Sequence, residues 1–157
     1  MARVAVTALV LSTAPVAASA TDLTPRAGWA VHPTPLSHAD LVDATRGAIR
    51  KAGLGIVTQA GPTKAAAARG IEIPGNVVIG AYNNDFAVRV LALSTAAMIE
   101  APIRFYVTEN EDGTATLSYK RPSTVFAPYM DEAGPELAAI AAELDTLFAS
   151  VATAVSE

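Results

Sequence analysis

Apolar and polar residues alternate along two neighbouring stretches of the chain, residues 103–109 and 114–120. Strict alternation is typical of strands that bury one face. A three-residue loop over 111–113 places Phe105 opposite Tyr119, so the apolar faces of the two strands agree, whereas a two-residue loop would set apolar against polar side chains. The pattern therefore predicts a hairpin whose loop glycine adopts the left-handed bulge conformation.

Helical spacing and continuous apolar runs predict the remaining elements. The predicted helices cover residues 39–52, 63–69, 85–98 and 135–155. The further predicted strands cover residues 29–31, 54–59 and 76–81, and residues 121–134 are predicted to be a loop because they contain two prolines. The element order β-α-β-α-β-α-β-β-α predicts an α+β two-layer sandwich, with one mixed or antiparallel sheet and helices mainly on one face.

The first twenty residues have the pattern of a secretory signal peptide. Arg3 precedes an apolar run over 4–16, and Ala18-Ser19-Ala20 is a small-x-small cleavage site. The alternative is a buried N-terminal helix, which would need a cap and an amphipathic face that the sequence lacks. We predict cleavage after residue 20, a linker over 21–28, and one α+β domain over 29–157. The mature chain is then periplasmic or secreted and has no membrane span.

Composition excludes several classes of function. Hydrophobic residues make up 52% of the chain and charged residues 17%, which is typical of a globular protein. The net charge of −4, without a long basic run, makes nucleic acid a poor partner. The chain has no cysteine, so disulfides, thiol catalysis and thiolate metal sites are excluded.

Three polar residues, Asn83, Asn84 and Asp85, separate the strand over 76–81 from the helix that follows. An Asn at this place caps a helix, and an Asp in the first turn favours the helix dipole. The alternative is a ligand site formed by these three residues with Tyr82. Because Asp85 would repel an anion, that ligand is expected to be small, neutral and polar.

Arg104 and Tyr106 complete the candidate ligand-binding set, because they lie on the outer face of the predicted hairpin. Tyr82 and Asn83 would form one site with them if the two regions met in a single pocket. We expect no catalytic residues, no metal and no cofactor.

The two histidines, His32 and His38, do not have the spacing of a helical metal pair, and Pro33 and Pro35 force an extended path between them. Surface or cap-adjacent positions are the expectation for both. Ser37, beside His38, is better explained as the cap of the first helix than as a nucleophile.

Two phrases of the sequence, "VVIGAYNNDFAVRVL" and "IEAPIRFYVTENEDGTATLSYKRPS", resemble a bacterial family known as domain of unknown function 302. Shared features include Gly80 with Asn83 before a helix, Pro102 before a hairpin strand, an acidic-Gly turn, and Tyr119 followed closely by Pro122. Many members have Gly-Asn-Pro in the turn, where this chain has Gly-Ala-Tyr-Asn-Asn. The resemblance implies a compact α/β fold that is often exported, with no established activity and no catalytic residues.

The sequence thus predicts an exported, non-catalytic binding or accessory module. One alternative is an enzyme with acid–base chemistry near residues 82–85 that uses His38 or Asp85. Another is a structural subunit of an envelope assembly. The long apolar stripe of the last helix also makes a homodimer a candidate assembly.

Overall fold

The computed structural model describes residues 22–156, so the predicted signal peptide and the first linker residue lie outside the described part of the chain. Five strands form one sheet in the order β1-β5-β4-β3-β2, and each neighbouring pair is antiparallel. The strands are β1 (Trp29–Ser37), β2 (Gly55–Ala60), β3 (Asn76–Tyr82), β4 (Ile103–Glu109) and β5 (Thr114–Lys120).

Five helices accompany the sheet, and they confirm the predicted α+β two-layer sandwich. They are α1 (His38–Lys51), α2 (Thr63–Ala67), α3 (Asn84–Leu93), α4 (Pro122–Phe126) and α5 (Met130–Ser156), with short 3₁₀ turns at Ala97–Glu100 and Ala127–Tyr129. The predicted start of α1 is confirmed, because the Ser37 hydroxyl accepts a hydrogen bond from the Asp40 amide at 3.2 Å. That bond satisfies one of the free amides at the helix N-terminus.

The predicted hairpin register is confirmed. Phe105 lies opposite Tyr119 and Val107 opposite Leu117. The Asn110 amide donates to the Thr114 carbonyl at 2.8 Å, which closes the three-residue loop. Gly113 has φ +82°, a left-handed conformation that favours glycine.

The core lies between one face of the sheet and the helices α1 and α5. Phe105 of β4 stacks on Phe148 of α5 with ring centroids 4.3 Å apart, and Tyr119 of β5 packs against both rings at 5.4 Å. The opposite face of the sheet carries Arg104 and Tyr106, because side chains alternate along a strand. The sheet thus has one buried face and one open face.

Strand β1 is longer than predicted. The sequence predicted residues 29–31, but the strand continues through Pro33 and Pro35 to Ser37. Proline lacks a donor and is tolerated in edge strands, where half of the amides point away from the sheet. Because β1 is an edge strand, with a register shift between Thr34 and Ser37, the two prolines do not end it.

Two predicted helix boundaries were wrong. Helix α3 ends at Leu93 instead of residue 98, because Ser94 is extended and its hydroxyl accepts from the Ala97 amide at 2.9 Å, which starts the 3₁₀ turn. The predicted loop over 121–134 instead contains α4, with Pro122 in its first turn, and the beginning of α5. The predicted start of the last helix at Pro135 coincides with a break in α5, where Gly134 has φ 71° and ψ −166°.

The segment Pro122–Ser156 is long and apolar enough to cross a membrane by length and composition, with a mean hydropathy of 1.5 in its most apolar window. In this structure its apolar stripe packs in the core, where Leu137, Phe148 and Val151 are buried. A buried core helix can match a membrane span in length and composition.

Candidate functional site

Asn83 caps α3. Its side-chain Oδ1 accepts from the Asp85 amide at 2.9 Å and from the Phe86 amide at 3.3 Å, and its Nδ2 donates to the Gly53 carbonyl at 3.2 Å. Asn84 is the first residue of the helix, and Asp85 lies exposed in the first turn. The capping prediction is confirmed, and the structure assigns the cap to Asn83.

We expect Asn83→Ala to lower the free energy of unfolding by about 1 kcal/mol, because two amides at the helix start lose their acceptor. Asn83→Asp should restore part of that loss, since a carboxylate accepts the two amide bonds but cannot donate to the Gly53 carbonyl. Asn84→Ala should change stability little. Denaturant titration of the three variants checks this, and equal losses at Asn83 and Asn84 would contradict the assigned cap.

The candidate ligand-binding residues divide between two pockets. Tyr82 and Asn83 line a small apolar cavity of about 40 Å³ at one end of the core, beside α3. Arg104 and Tyr106 line a larger cleft of about 400 Å³ that opens on the other face of the sheet. A cavity of 40 Å³ holds no more than a few water molecules. The structure therefore does not bring the turn and the hairpin together in one pocket, and a ligand at the turn stays a prediction.

The larger cleft, called here the open-face cleft, is lined by residues of four strands, β1, β3, β4 and β5, and of the segments next to them. Its lining consists of Trp29, Asn76, Val78, Glu100, Ile103, Arg104, Tyr106, Tyr119, Lys120 and Val125. The sequence analysis identified Arg104 and Tyr106. Lys120 was not selected, although it lies on the same predicted hairpin. Trp29 and Glu100 were missed because only the tertiary fold brings them to this cleft.

Two cationic residues on neighbouring strands, Arg104 and Lys120, line this cleft. Trp29 pairs with Lys120 across β1 and β5, and Phe105 pairs with Tyr119 across β5 and β4. One residue further along the same antiparallel register, Arg104 is opposite Lys120, and both side chains are exposed. Like charges directly opposite on neighbouring strands destabilise a sheet.

No carboxylate within residues 22–156 forms an ion pair with either cation. The ion pairs of the described residues are Arg46–Asp43 at 3.5 Å and Arg89–Glu143 at 2.7 Å, both on helices. Glu100 lines the open-face cleft, but its carboxylate accepts a hydrogen bond from the Tyr129 hydroxyl at 2.8 Å. Among residues 22–156, the two cations of the cleft therefore have no carboxylate oxygen within 4.0 Å.

Aromatic side chains border the same cations. The Lys120 ammonium lies 5.8 Å from the centroid of the Trp29 ring, and the Arg26 guanidinium lies 5.4 Å from it. The Tyr106 hydroxyl accepts a hydrogen bond from the Asn76 side-chain amide, which fixes the phenol ring. These contacts surround an aromatic surface with positive charge.

The histidines lie outside the open-face cleft. His32 stacks on Tyr119, with ring centroids 6.1 Å apart, on the side of β1 that faces α5. His38 lies at the start of α1 and lines a separate cavity between α1 and α2, whereas Asp85 is exposed on α3. The structure therefore does not combine His38 and Asp85 in one site. Residues 22–156 contain no group of three or more His, Cys, Asp or Glu side chains placed to hold a metal ion.

Burial, with a smaller effect from the Arg121 charge, lowers the pKa of His32 below its ordinary 6.5. The unfolded chain then binds this proton more readily than the folded chain, so stability rises with pH. We expect the His32 contribution to be complete above pH 6.5 and to be lost as the pH falls below that value. The measurement is the melting temperature as a function of pH.

The His32→Gln variant should have a flatter profile over the same interval, because the titrating group is gone. His38→Gln is the matched control and should keep the slope, since it leaves His32 in place. Identical slopes in the wild type and in His32→Gln would contradict the assignment.

Comparison with known proteins gives a family and a fold. Residues 30–155 match the family described as "Domain of unknown function DUF302". A crystal structure of an uncharacterized conserved DUF302 protein from Bacillus stearothermophilus is similar, with a TM-score of 0.73 and 18% sequence identity. The similarity covers 83% of this chain and 99% of that one, and at this identity it supports the fold alone. No curated protein matches the chain.

Proposed function

The chain belongs to the family of the domain of unknown function DUF302, and we propose that it is a non-catalytic binding module. Its open-face cleft holds a small organic anion with a planar ring. The observation that carries the proposal is that Arg104 and Lys120 line one cleft from neighbouring strands and form no ion pair within residues 22–156. A bound anion would relieve the repulsion between them, and its binding energy would include that relief.

The shape and lining of the cleft support the planar part of the ligand. A volume of about 400 Å³ is in the range of small-molecule sites. Trp29 and Tyr106 provide aromatic surfaces in the cleft, whereas Val78 provides an apolar contact. A ring can stack on an aromatic wall while its carboxylate, sulfonate or phosphate reaches the charged side chains.

This proposal differs from the neutral ligand expected from the sequence. That expectation depended on Asp85, which repels anions at the turn. Asp85 is exposed on α3 and is not among the residues that line the open-face cleft. Repulsion by Asp85 therefore disfavours an anion at the turn, whereas Asp85 does not line the open-face cleft.

The proposal includes export, which the signal-peptide pattern of residues 1–20 supports. The ligand would then be met in the periplasm or outside the cell. The intact mass of the exported protein tests this part of the proposal: a mature chain beginning at Thr21 is expected, and a chain that retains Met1 would contradict it.

Thermal melts test the anion site without knowledge of the natural ligand. In dilute chloride buffer, Arg104→Gln should be as stable as the wild type or more stable, because one of two repelling charges is removed. Sulfate at equal ionic strength stabilises most proteins by exclusion from their surface. We expect the additional stabilisation by sulfate to be larger in the wild type than in Arg104→Gln.

Arg69→Gln is the matched control, because Arg69 is exposed and is not among the residues that line the cleft. It removes one positive charge without changing the site, so its response to sulfate should equal that of the wild type. If sulfate stabilises all three proteins equally, the cations of the cleft do not bind anions and the proposal is wrong.

A further inference from the structure

Glu100 is held in place at the open-face cleft without being neutralised. The Tyr129 hydroxyl donates to its Oε1 at 2.8 Å, and this hydrogen bond raises the pKa of Tyr129. Glu100 is half-buried and ends the 3₁₀ turn that precedes β4. One hydrogen bond leaves most of the acceptor capacity of a carboxylate unused.

The cleft therefore has two poles. Arg104 and Lys120 form the positive pole, and Glu100 forms the negative pole. Within residues 22–156, neither Arg104 nor Lys120 forms an ion pair with Glu100, so their nitrogens lie more than 4.0 Å from its carboxylate oxygens. The apolar residue Val125 lines the same cleft.

We infer that the ligand is dipolar: it carries an acidic group for Arg104 and Lys120 and, on the other side of its ring, an ammonium group for Glu100. This inference rests on the proposed anion site and adds the second charge. A ligand with only an acidic group would be repelled by Glu100, whereas a cationic group beside that carboxylate gains a charge-assisted hydrogen bond. The expected ligand class is thus an aromatic amine that also bears an acid.

Three para-substituted benzenes of nearly equal size separate the two poles: 4-(aminomethyl)benzoate, 4-methylbenzoate and 4-methylbenzylamine. They are titrated into the full mature chain, with binding followed by ¹H–¹⁵N spectra. We expect 4-(aminomethyl)benzoate to bind about three- to tenfold more tightly than 4-methylbenzoate, the range for a partly exposed ion pair or charged hydrogen bond. The amine without a carboxylate should bind most weakly.

Glu100→Gln tests the negative pole, because glutamine keeps an acceptor for Tyr129 and loses only the charge. In this variant the two benzoates should bind equally. Glu72→Gln is the control, since Glu72 is exposed and not among the cleft residues, and it should keep the preference.

The outcomes distinguish the two proposals. If both benzoates bind equally to the wild type, and Arg104→Gln weakens both, the anion site stands and the dipolar ligand is wrong. If the preference persists in Glu100→Gln, the ammonium does not meet Glu100 and the inference is also wrong. If neither benzoate binds, the anion site and the inference that rests on it both fail.

Discussion

Phe148→Ala should lower the free energy of unfolding by about 3–5 kcal/mol, the usual range for a buried phenylalanine. The Phe148 side chain is 1% exposed, stacks on Phe105 at 4.3 Å and packs against Tyr119 at 5.4 Å. Its loss removes contacts between α5 and the two hairpin strands, β4 and β5. It also enlarges the small apolar cavity that Phe148 already lines, so the cavity penalty adds to the lost transfer free energy.

Denaturant titration measures this effect, and Ile99→Ala is the control. Ile99 is 79% exposed, so its truncation should change the free energy of unfolding by less than about 0.5 kcal/mol. A domain of this size is stable by only about 5–15 kcal/mol, so Phe148→Ala should lose a large fraction of its stability. A loss below 1 kcal/mol would mean that α5 does not pack on the sheet as described.

Gly80→Ala should also destabilise the protein, by about 1–3 kcal/mol, the range for an overpacked core. A Cβ atom at Gly80 would lie 2.1 Å from the Thr58 Oγ1 and 2.9 Å from the Pro102 Cγ. Rotation about χ1 can move the Thr58 hydroxyl, but the Pro102 ring is rigid, so β3 or the segment at Pro102 would have to shift. Replacing glycine by alanine in an unobstructed strand would instead stabilise, because glycine loses more backbone entropy on folding.

Gly47→Ala provides the matched control, because a Cβ atom at Gly47 meets nothing within 4 Å. Gly47 lies inside α1, where alanine is better than glycine by about 1 kcal/mol, so this variant should be more stable than the wild type. The double variant Gly80→Ala with Thr58→Gly should regain part of the loss. A stabilising Gly80→Ala would show that β2 and β3 do not approach as closely as described.

The sequence predicted the hairpin and the fold class because the signals that determine them are local. Alternation on β4 and β5 favours the register that buries Phe105 with Tyr119, because a shift by one residue would set apolar against polar side chains. The order of elements then restricts the topology to a sheet with helices on one face. The cap at Asn83 was predicted for the same reason, since residue type and position next to a helix suffice.

The boundaries that were wrong depend on tertiary contacts. Proline would interrupt a central strand, but Pro33 and Pro35 are tolerated in β1 because it is an edge strand. Ser94 ends α3 because its side chain binds the Ala97 amide and the Glu132 carboxylate, and Glu132 is distant in sequence. The apolar periodicity continued through this point and gave no signal of the break.

Some of the residues that line the open-face cleft could be predicted from the sequence. The predicted hairpin register already implies that Arg104 and Lys120 are opposite each other on the outer face, although Lys120 was not selected. Trp29 could not be found in this way, because its pairing with Lys120 joins residues 91 positions apart in the sequence. Glu100 reaches the cleft through the 3₁₀ turn between α3 and β4, where the sequence predicted a helix that ended at residue 98 and no turn after it.

Trp29 can report ligand binding in the cleft, because it is the only tryptophan of the chain. Its indole N–H gives one separate signal in a ¹H–¹⁵N spectrum. Benzoate and benzamide have the same ring and nearly the same size, and they differ in charge. The comparison of the two therefore isolates the effect of the cations Arg104 and Lys120 on binding.

The most direct test of the account is the titration of the Trp29 indole signal with benzoate and with benzamide, in the wild type and in Arg104→Gln. We predict saturable shifts with benzoate, at least about fivefold weaker binding of benzamide, and loss of that difference in Arg104→Gln, since a charge-assisted hydrogen bond to arginine contributes about 1.5–3 kcal/mol. Equal binding of benzoate and benzamide to the wild type, or no shift with either compound, would contradict an anion site in the open-face cleft.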